Sequence, residues 1–537
     1  MIKMIKMTKK RISKKSNKID KYKNGRYNSK KKNINKNINK KNNKKSDSKN
    51  TLYALHDVVK IKYENVKNNL KNIKIHDNID FYKDVENNQI KLISIPDNRL
   101  NTFSIYFIVK IGSRHENKDE LGYSHILEHM LFKGTKKYPK YQEILYKLKQ
   151  MGVVSNAYTT PECTVYHYTY IPIHSNNTEI DKLTYFIIQL TFDMLFNSLI
   201  LKSELEKERN VVLQEYYDDR DEDQGSRINK LYDILYGDNP INQKPIGKES
   251  IIKNATSNKI IKYYEKHYKY DNMFFMASGK IPNNITTILT EFINSCVYNN
   301  RKDIKILEKI NVSNMVKTLP NISNIEIPNK EIHYIKSINN QNSLYLILPI
   351  ENGYNNTELF ELNLLMRVLA GGMAGRLNFA VRENRGLVYS ISTDRDLFEN
   401  AGFFYINTQN IPENSGEIID IILKELENIK KNGITQDELN GVVNSYTDSL
   451  LMNANEVSFP IELYLDDVLY NHLPIRDIKT RIDKIHSITV NDLNKYISRY
   501  LNFDNLLVIC VGNDIRKNDI NNSMKKHNLH FKQIYDK

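Results

Sequence analysis

TSNKIIKYYEKHYKYDNMFFMASG, residues 256–279, returns as TVNDLNKYISRYLNFDNLLVICVG at residues 489–512, 233 positions later and without a gap. Each copy opens on a threonine suited to cap a helix (Thr256, Thr489) and continues as a helical stretch. Each then turns at Asp-Asn and ends in an apolar strand closed by glycine (Gly279, Gly512). Such a repeat describes a duplicated α+β domain. The chain has 537 residues, enough for two ordinary domains. The expected division is a basic lead-in over 1–75, a first domain over 76–298, a polar and poorly periodic linker over 299–325, and a second domain over 326–537.

Within the first domain stands GYSHILEHMLF, residues 122–132. Its His125, Glu128 and His129 form an H-x-x-E-H motif. Positions i and i+4 share one face of a helix, so both imidazoles can reach one metal ion. Glu128 can reach water beside that ion but is poorly placed to displace it. Two neutral histidines, an open position and a carboxylate base are the layout of zinc-assisted peptide hydrolysis. The order is the inverse of H-E-x-x-H.

Such a site needs a third protein ligand. Residues 203–215, SELEKERNVVLQE, hold good helix formers and no Gly or Pro. Glu208 and Glu215 are seven apart, two turns along one face, with Val211 and Val212 between them to pack inward. One carboxylate could bind metal while the other supports it. Glu204 and Glu206 read as a solvated helix face.

Three further stretches complete an ordered set: GSRHE at 112–116, NAYT at 156–159, and GGMAGRL at 371–377 followed by RENRGLVY at 382–389. With this set the chain resembles the M16 metallopeptidases, a family that includes pitrilysin, insulysin and the mitochondrial processing peptidase. The short M16B type, with the processing peptidase's β subunit and its bacterial relatives, is the most similar. The resemblance implies two homologous M16-type domains of the α+β class, each a mainly antiparallel sheet flanked by helices. It implies that His125, His129 and Glu215 bind one zinc ion per chain, that Glu128 is the catalytic base, and that Glu208 supports the site. It also implies that Arg382 and Tyr389 hold substrate and stabilise the oxyanion, in short M16 enzymes at the metal of a partner subunit. A homodimer, or a heterodimer with another M16-like chain, is therefore expected.

Glu215 follows His129 by 86 residues, about ten more than is usual in the family; the extra length is expected near PIHSNNTE, residues 172–179. Glu206 fits the usual spacing better but lacks the partner of the E-x6-E pattern. The run TVYHYTYI at 164–171 reads as a strand. The segment Asn156, Ala157, Tyr158 and Thr159 is expected beside the metal helix. In the family this edge pairs with extended peptide, a mode that draws affinity from the backbone. At the second domain's equivalent of the metal helix stands LNLLMRVLA, residues 362–370, without histidine.

Residues 1–50 hold 20 Lys or Arg against 2 Asp, a net +18, whereas the whole chain carries +16. The remainder is thus slightly acidic, at −2, and the high pI belongs to a Lys/Asn-rich tail expected to be disordered. A tail of this kind can be a targeting segment, a nonspecific contact for nucleic acid or membrane, or the product of a biased coding sequence. No specific nucleic-acid module accompanies it. Cys163, Cys296 and Cys510 lack metal or disulfide spacing and fit a reducing interior, cytoplasmic or mitochondrial matrix. Residues 183–201 form the most apolar run, but Gln189, Asp193 and Asn197 interrupt it, so no transmembrane segment is expected. An acidic run follows the third ligand at 218–223 and would favour basic peptides if it lined the substrate chamber. The expectation is a zinc metalloendopeptidase acting on extended or unstructured peptides, with a processing protease as one form of it. The alternatives are a noncatalytic M16-like partner subunit and a scaffold with a basic nucleic-acid- or membrane-interacting tail.

Overall fold

A computed structural model describes residues 75–76, 78–173, 181–221, 223–300, 306–311, 328–399, 401–470 and 475–535. The basic tail lies outside them, as do most of the expected linker and of the polar stretch at 172–179. The first sheet contains β1 Asp80–Asp84, β2 Ile90–Pro96, β3 Phe103–Val109, β4 Val154–Thr159, β5 Thr164–Tyr170, β6 Met273–Gly279 and β7 Leu307–Ile310. Their spatial order is β4-β5-β3-β6-β2-β1-β7, antiparallel except for the β2–β6 pair. The second contains β8 Glu331–Lys336, β9 Asn342–Pro349, β10 Ile391–Leu397, β11 Gly402–Asn410, β12 Leu507–Gly512 and β13 Lys532–Tyr535, in the order β10-β11-β9-β12-β8-β13. Here β12–β8 and β8–β13 are parallel and the other pairs antiparallel. Both sheets are mixed, with antiparallel pairs in the majority, and helices flank them.

The helices that matter below are α1 Tyr123–Leu131, α2 Lys182–Asn197, α3 Lys202–Asp221, α4 Asp223–Tyr236, α5 Ser257–His267, α6 Leu359–Ala370, α7 Phe459–Leu469 and α8 Val490–Tyr500. The repeated segment is α5 with β6, and α8 with β12. The hydroxyls of Thr256 and Thr489 cap the two helices by accepting from Lys259 N and Asp492 N. Strands β6 and β12 occupy matching places, fourth in each sheet.

Side-chain alternation along β3 sends Phe103, Ile105, Phe107 and Val109 into the core shared with α1, α2 and α5. Tyr106 faces the other way, and its hydroxyl donates to Glu462 of α7 at 3.2 Å. The second sheet receives α4 on its corresponding face: Leu231, Leu235 and Tyr236 pack with Tyr345, Ile347, Phe403, Ile509 and Val511. Helix α7 ends 233 residues after α4, so equivalent helices of the repeat are exchanged between the two sheets. Helix α2 covers the most apolar run, and no helix among the described residues is long and apolar enough to cross a membrane. One difference from the sequence reading lies at 299–325: Leu307–Ile310 is the edge strand β7, paired with β1, because Leu307 is drawn into the core while Glu308 and Lys309 need not be.

Candidate metal centre

Helix α1 starts where Gly122 adopts φ +99°, a conformation that favours glycine, and a Cβ there would crowd Gly247 Cα at 3.1 Å. Its free N-terminal amides are met by a buried carboxylate from the 112–116 block. Glu116 accepts from Gly122 N and Ser124 N, both at 2.7 Å. Burial pushes the Glu116 carboxyl up, while those amides pull it down. Leu127, Met130 and Leu131 are buried in the core, which leaves His125 and His129 half-buried on the opposite face.

Helix α3 packs against α1 and delivers both glutamates of the E-x6-E pattern. Val212 is fully buried beneath them, whereas Val211 is exposed; only one of the two valines packs inward. Glu208 accepts from His129 Nδ1 at 2.8 Å through Oε1, and Lys133 Nζ lies 2.5 Å from its Oε2. Burial pushes the Glu208 carboxyl up, but His129 and Lys133 prevail and hold it below its usual range. Burial opposes a charge on His129, yet Glu208, Glu128 and Glu215 together raise its pKa.

A carboxylate only accepts, so the proton of a neutral His129 sits on Nδ1 and the lone pair on Nε2. That Nε2 lies 3.2 Å from His125 Nε2, and Glu215 Oε2 lies 3.6 Å and 3.7 Å from the two nitrogens. These three atoms form a triangle of electron donors. A tetrahedral ion with N and O ligands at 2.0–2.1 Å separates its donors by about 3.3–3.4 Å, so the triangle fits a zinc ion with its fourth position open. Among the described residues, His125, His129 and Glu215 are the group of His, Cys, Asp or Glu side chains able to hold a metal.

Glu128 is 8% exposed and stands outside this triangle. Its Oε2 accepts from Thr159 Oγ1 at 2.8 Å. Strand β4 is an edge of the first sheet, with Asn156 and Tyr158 on one face and Ala157 and Thr159 on the face toward α1. The sequence reading places Thr159 with substrate; the structure puts its hydroxyl on Glu128. Tyr158 leans on His167, and His167 stacks on Tyr106 at 4.7 Å, which links the edge strand to α7.

Arg382 and Tyr389 meet each other, with the guanidinium 5.6 Å from the ring centre. Among the described residues neither contacts the donor triangle, and Tyr389 is 87% exposed. Arg382 rides on a π-helical turn, Asn378–Glu383, whose wide closure from Asn384 N to Phe379 O spans 3.0 Å. Buried Asn378 ties that turn to β10 by donating to Ile391 O at 3.1 Å. Of the acidic run, Asp218 accepts from Gln214 and Asp219 from Asn229; the side chains from 220 to 223 lie outside the description.

Sequence reasoning missed Glu116 and Lys133. Lys133 had a readable signal, its spacing of four residues after His129, although α1 ends at Leu131 and Lys133 stands in the turn that follows. Glu116 stands in the quoted GSRHE block, but nothing local marks its role, which depends on a loop bringing it back over α1.

Residues 92–249 match the family model described as Insulinase (Peptidase family M16), and residues 254–446 that described as Peptidase M16 inactive domain. The second match begins before β6, a strand of the first sheet. An uncharacterized zinc protease of Rickettsia felis is 28% identical over 369 residues, 68% of this chain and 81% of that protein. A peptidase M16 inactive domain from Pseudomonas fluorescens superposes with a TM-score of 0.68 at 19% identity, over 82% of this chain and 98% of that one. A protease from Helicobacter pylori does so at 0.68 and 19%, over 81% and 100%.

Proposed function

The chain belongs to the M16 peptidase family, and from that premise we propose that it is a zinc-dependent endopeptidase of the M16B type that cleaves extended or unstructured peptides. The observation that carries this reading is the convergence of His125 Nε2, His129 Nε2 and Glu215 Oε2 beside a buried carboxylate, Glu128. Bound zinc would polarise the scissile carbonyl and acidify water. Glu128 takes the proton of the attacking water and later passes it to the leaving amine. Thr159 holds Glu128 in place by donating to its Oε2. The open edge of β4 receives the peptide backbone, with Asn156, Ala157, Tyr158 and Thr159 alongside it. Arg382 and Tyr389 offer a cation and a phenol to the negative charge developing on the carbonyl oxygen. That neither contacts its own chain's triangle among the described residues, and that Tyr389 is exposed, supports service at a second subunit's site.

The test is cleavage of a pool of unstructured peptides by purified protein, with and without a chelator, beside Glu128→Gln. Chelator-sensitive cleavage that the variant lacks is expected. Zinc binding without cleavage would mean that a different partner chain completes the site. Absence of both would overturn the reading.

A further inference from the structure

Resting on the metal site proposed above, we infer that Lys133 is a positioning residue that sets zinc affinity through Glu208. Lys133 stands in the turn just beyond the C-terminus of α1, four residues after His129, and the two side chains grip one carboxylate of α3. His129 Nδ1 takes Oε1 at 2.8 Å and Lys133 Nζ takes Oε2 at 2.5 Å. All three side chains are sheltered: Lys133 and His129 are each 15% exposed, and Glu208 is 9% exposed.

This clamp has two consequences for the donors. With both oxygens engaged, the Glu208 carboxylate cannot rotate away from Nδ1, so the His129 ring stays turned with Nε2 toward His125 and Glu215. Glu208 also lies two turns before Glu215 on the same face of α3, so pinning it fixes the axial register of that helix against α1. The 3.6 Å and 3.7 Å separations of Glu215 from the two imidazoles depend on that register. Without Lys133, Oε2 is left buried beside one donor fewer, and the carboxylate is free to swing. The ligand set is then intact in composition but loose in geometry. Loss of an outer partner of a metal-bound histidine costs about 10- to 100-fold in metal affinity.

The experiment measures zinc affinity by competition with a chromophoric chelator, for full-length wild type, Lys133→Met, Lys133→Arg, Glu208→Gln and the Lys133→Met/Glu208→Gln double variant. Melting of the zinc-free proteins is followed in parallel. Lys133→Met is expected to bind zinc about 10- to 100-fold more weakly, and Lys133→Arg to retain most of the affinity. In the Glu208→Gln background, Lys133→Met should add little, because the lysine acts through that carboxylate. Unchanged affinity in Lys133→Met would overturn the inference, as would full additivity in the double variant. If Glu208→Gln does not fold, the contrast between the methionine and arginine variants decides the matter. A wild type that binds no zinc would instead refute the proposed function, so the two failures are distinguishable.

Discussion

Replacing Thr159 by valine tests whether its hydroxyl serves the base or the substrate. Valine keeps the β-branched shape that suits a strand and the backbone pairing of Thr159 with Thr164. What it removes is one hydrogen bond of 2.8 Å to the buried Glu128 carboxylate. Hydrogen bonds to charged groups contribute about 1.5–3 kcal/mol. If that energy holds Glu128 in its working orientation, kcat should fall by about 10- to 150-fold, at about 1.4 kcal/mol per factor of ten. KM should change little, because an extended peptide would pair with β4 through the backbone. Zinc content should stay at the wild-type value, and Thr159→Ser should recover most of kcat. The assay is steady-state cleavage of one quenched fluorescent peptide, with metal analysis of each preparation. A raised KM with unchanged kcat would refute the argument and return Thr159 to substrate binding alone.

Three further expectations concern stability. Glu116→Ala leaves the first amides of α1 without their acceptor and should cost about 1–3 kcal/mol in urea unfolding; a change under 0.5 kcal/mol would show that water replaces the carboxylate. Leu235→Ala, in the apolar seat of α4 on the second sheet, should cost about 2–5 kcal/mol, whereas Glu462→Gln on the equivalent helix should stay within about 0.5 kcal/mol; equal losses would deny the asymmetry of the two seats. Arg376 holds the Glu438 carboxyl at about 2, against an ordinary 4.5. A depressed folded-state pKa means that this ion pair stabilises fully above pH 4.5 and is lost as pH falls through about 2. The stability gap between wild type and Glu438→Gln should therefore close over that window, and a gap independent of pH would contradict it.

The parts of the centre that were legible in the sequence are those set by local periodicity. One helical turn separates His125 from His129, and two separate Glu208 from Glu215, so each pair could be placed on a face before any tertiary contact was known. The repeat was legible for the same reason: cap, helix, turn and strand follow one another without a long-range partner. Thr159 was not, because its hydroxyl finds Glu128 only when β4 lies alongside α1, 31 residues away in the chain. Glu116 reaches the start of α1 across an irregular loop, and no periodicity marks such a return. Strand β7 was hidden by its length: four residues, Leu307–Ile310, with one fully committed to the core, carry too little alternation to stand out from a polar linker. The exchange of α4 and α7 between sheets could not be read either, since both helices are merely amphipathic until their seats are known.

That exchange is where the two copies of the fold part company. Helix α4 meets the second sheet with Leu231, Leu235 and Tyr236 against aromatic and branched side chains, a dry seat whose Tyr236 ring lies 5.7 Å from Phe398 and 5.9 Å from Phe403. Its counterpart α7 meets the first sheet with a carboxylate, Glu462, on the hydroxyl of Tyr106. Apolar burial is what holds such a joint, at roughly 25 cal/mol per Å², and α7 also buries Ile461, Tyr464 and Leu465. The α7 side lies along the row Tyr106, His167 and Tyr158 that leads to β4. The copies thus differ in the polar Glu462–Tyr106 pair on the α7 side, and in α6, the counterpart of α1, where buried Glu361 faces Lys484 at 3.5 Å and no histidine is present. A peptide laid on β4 would lie at the end of the row Tyr158, His167, Tyr106 and Glu462, so its backbone could take up strand contacts without disturbing the apolar seat of α4.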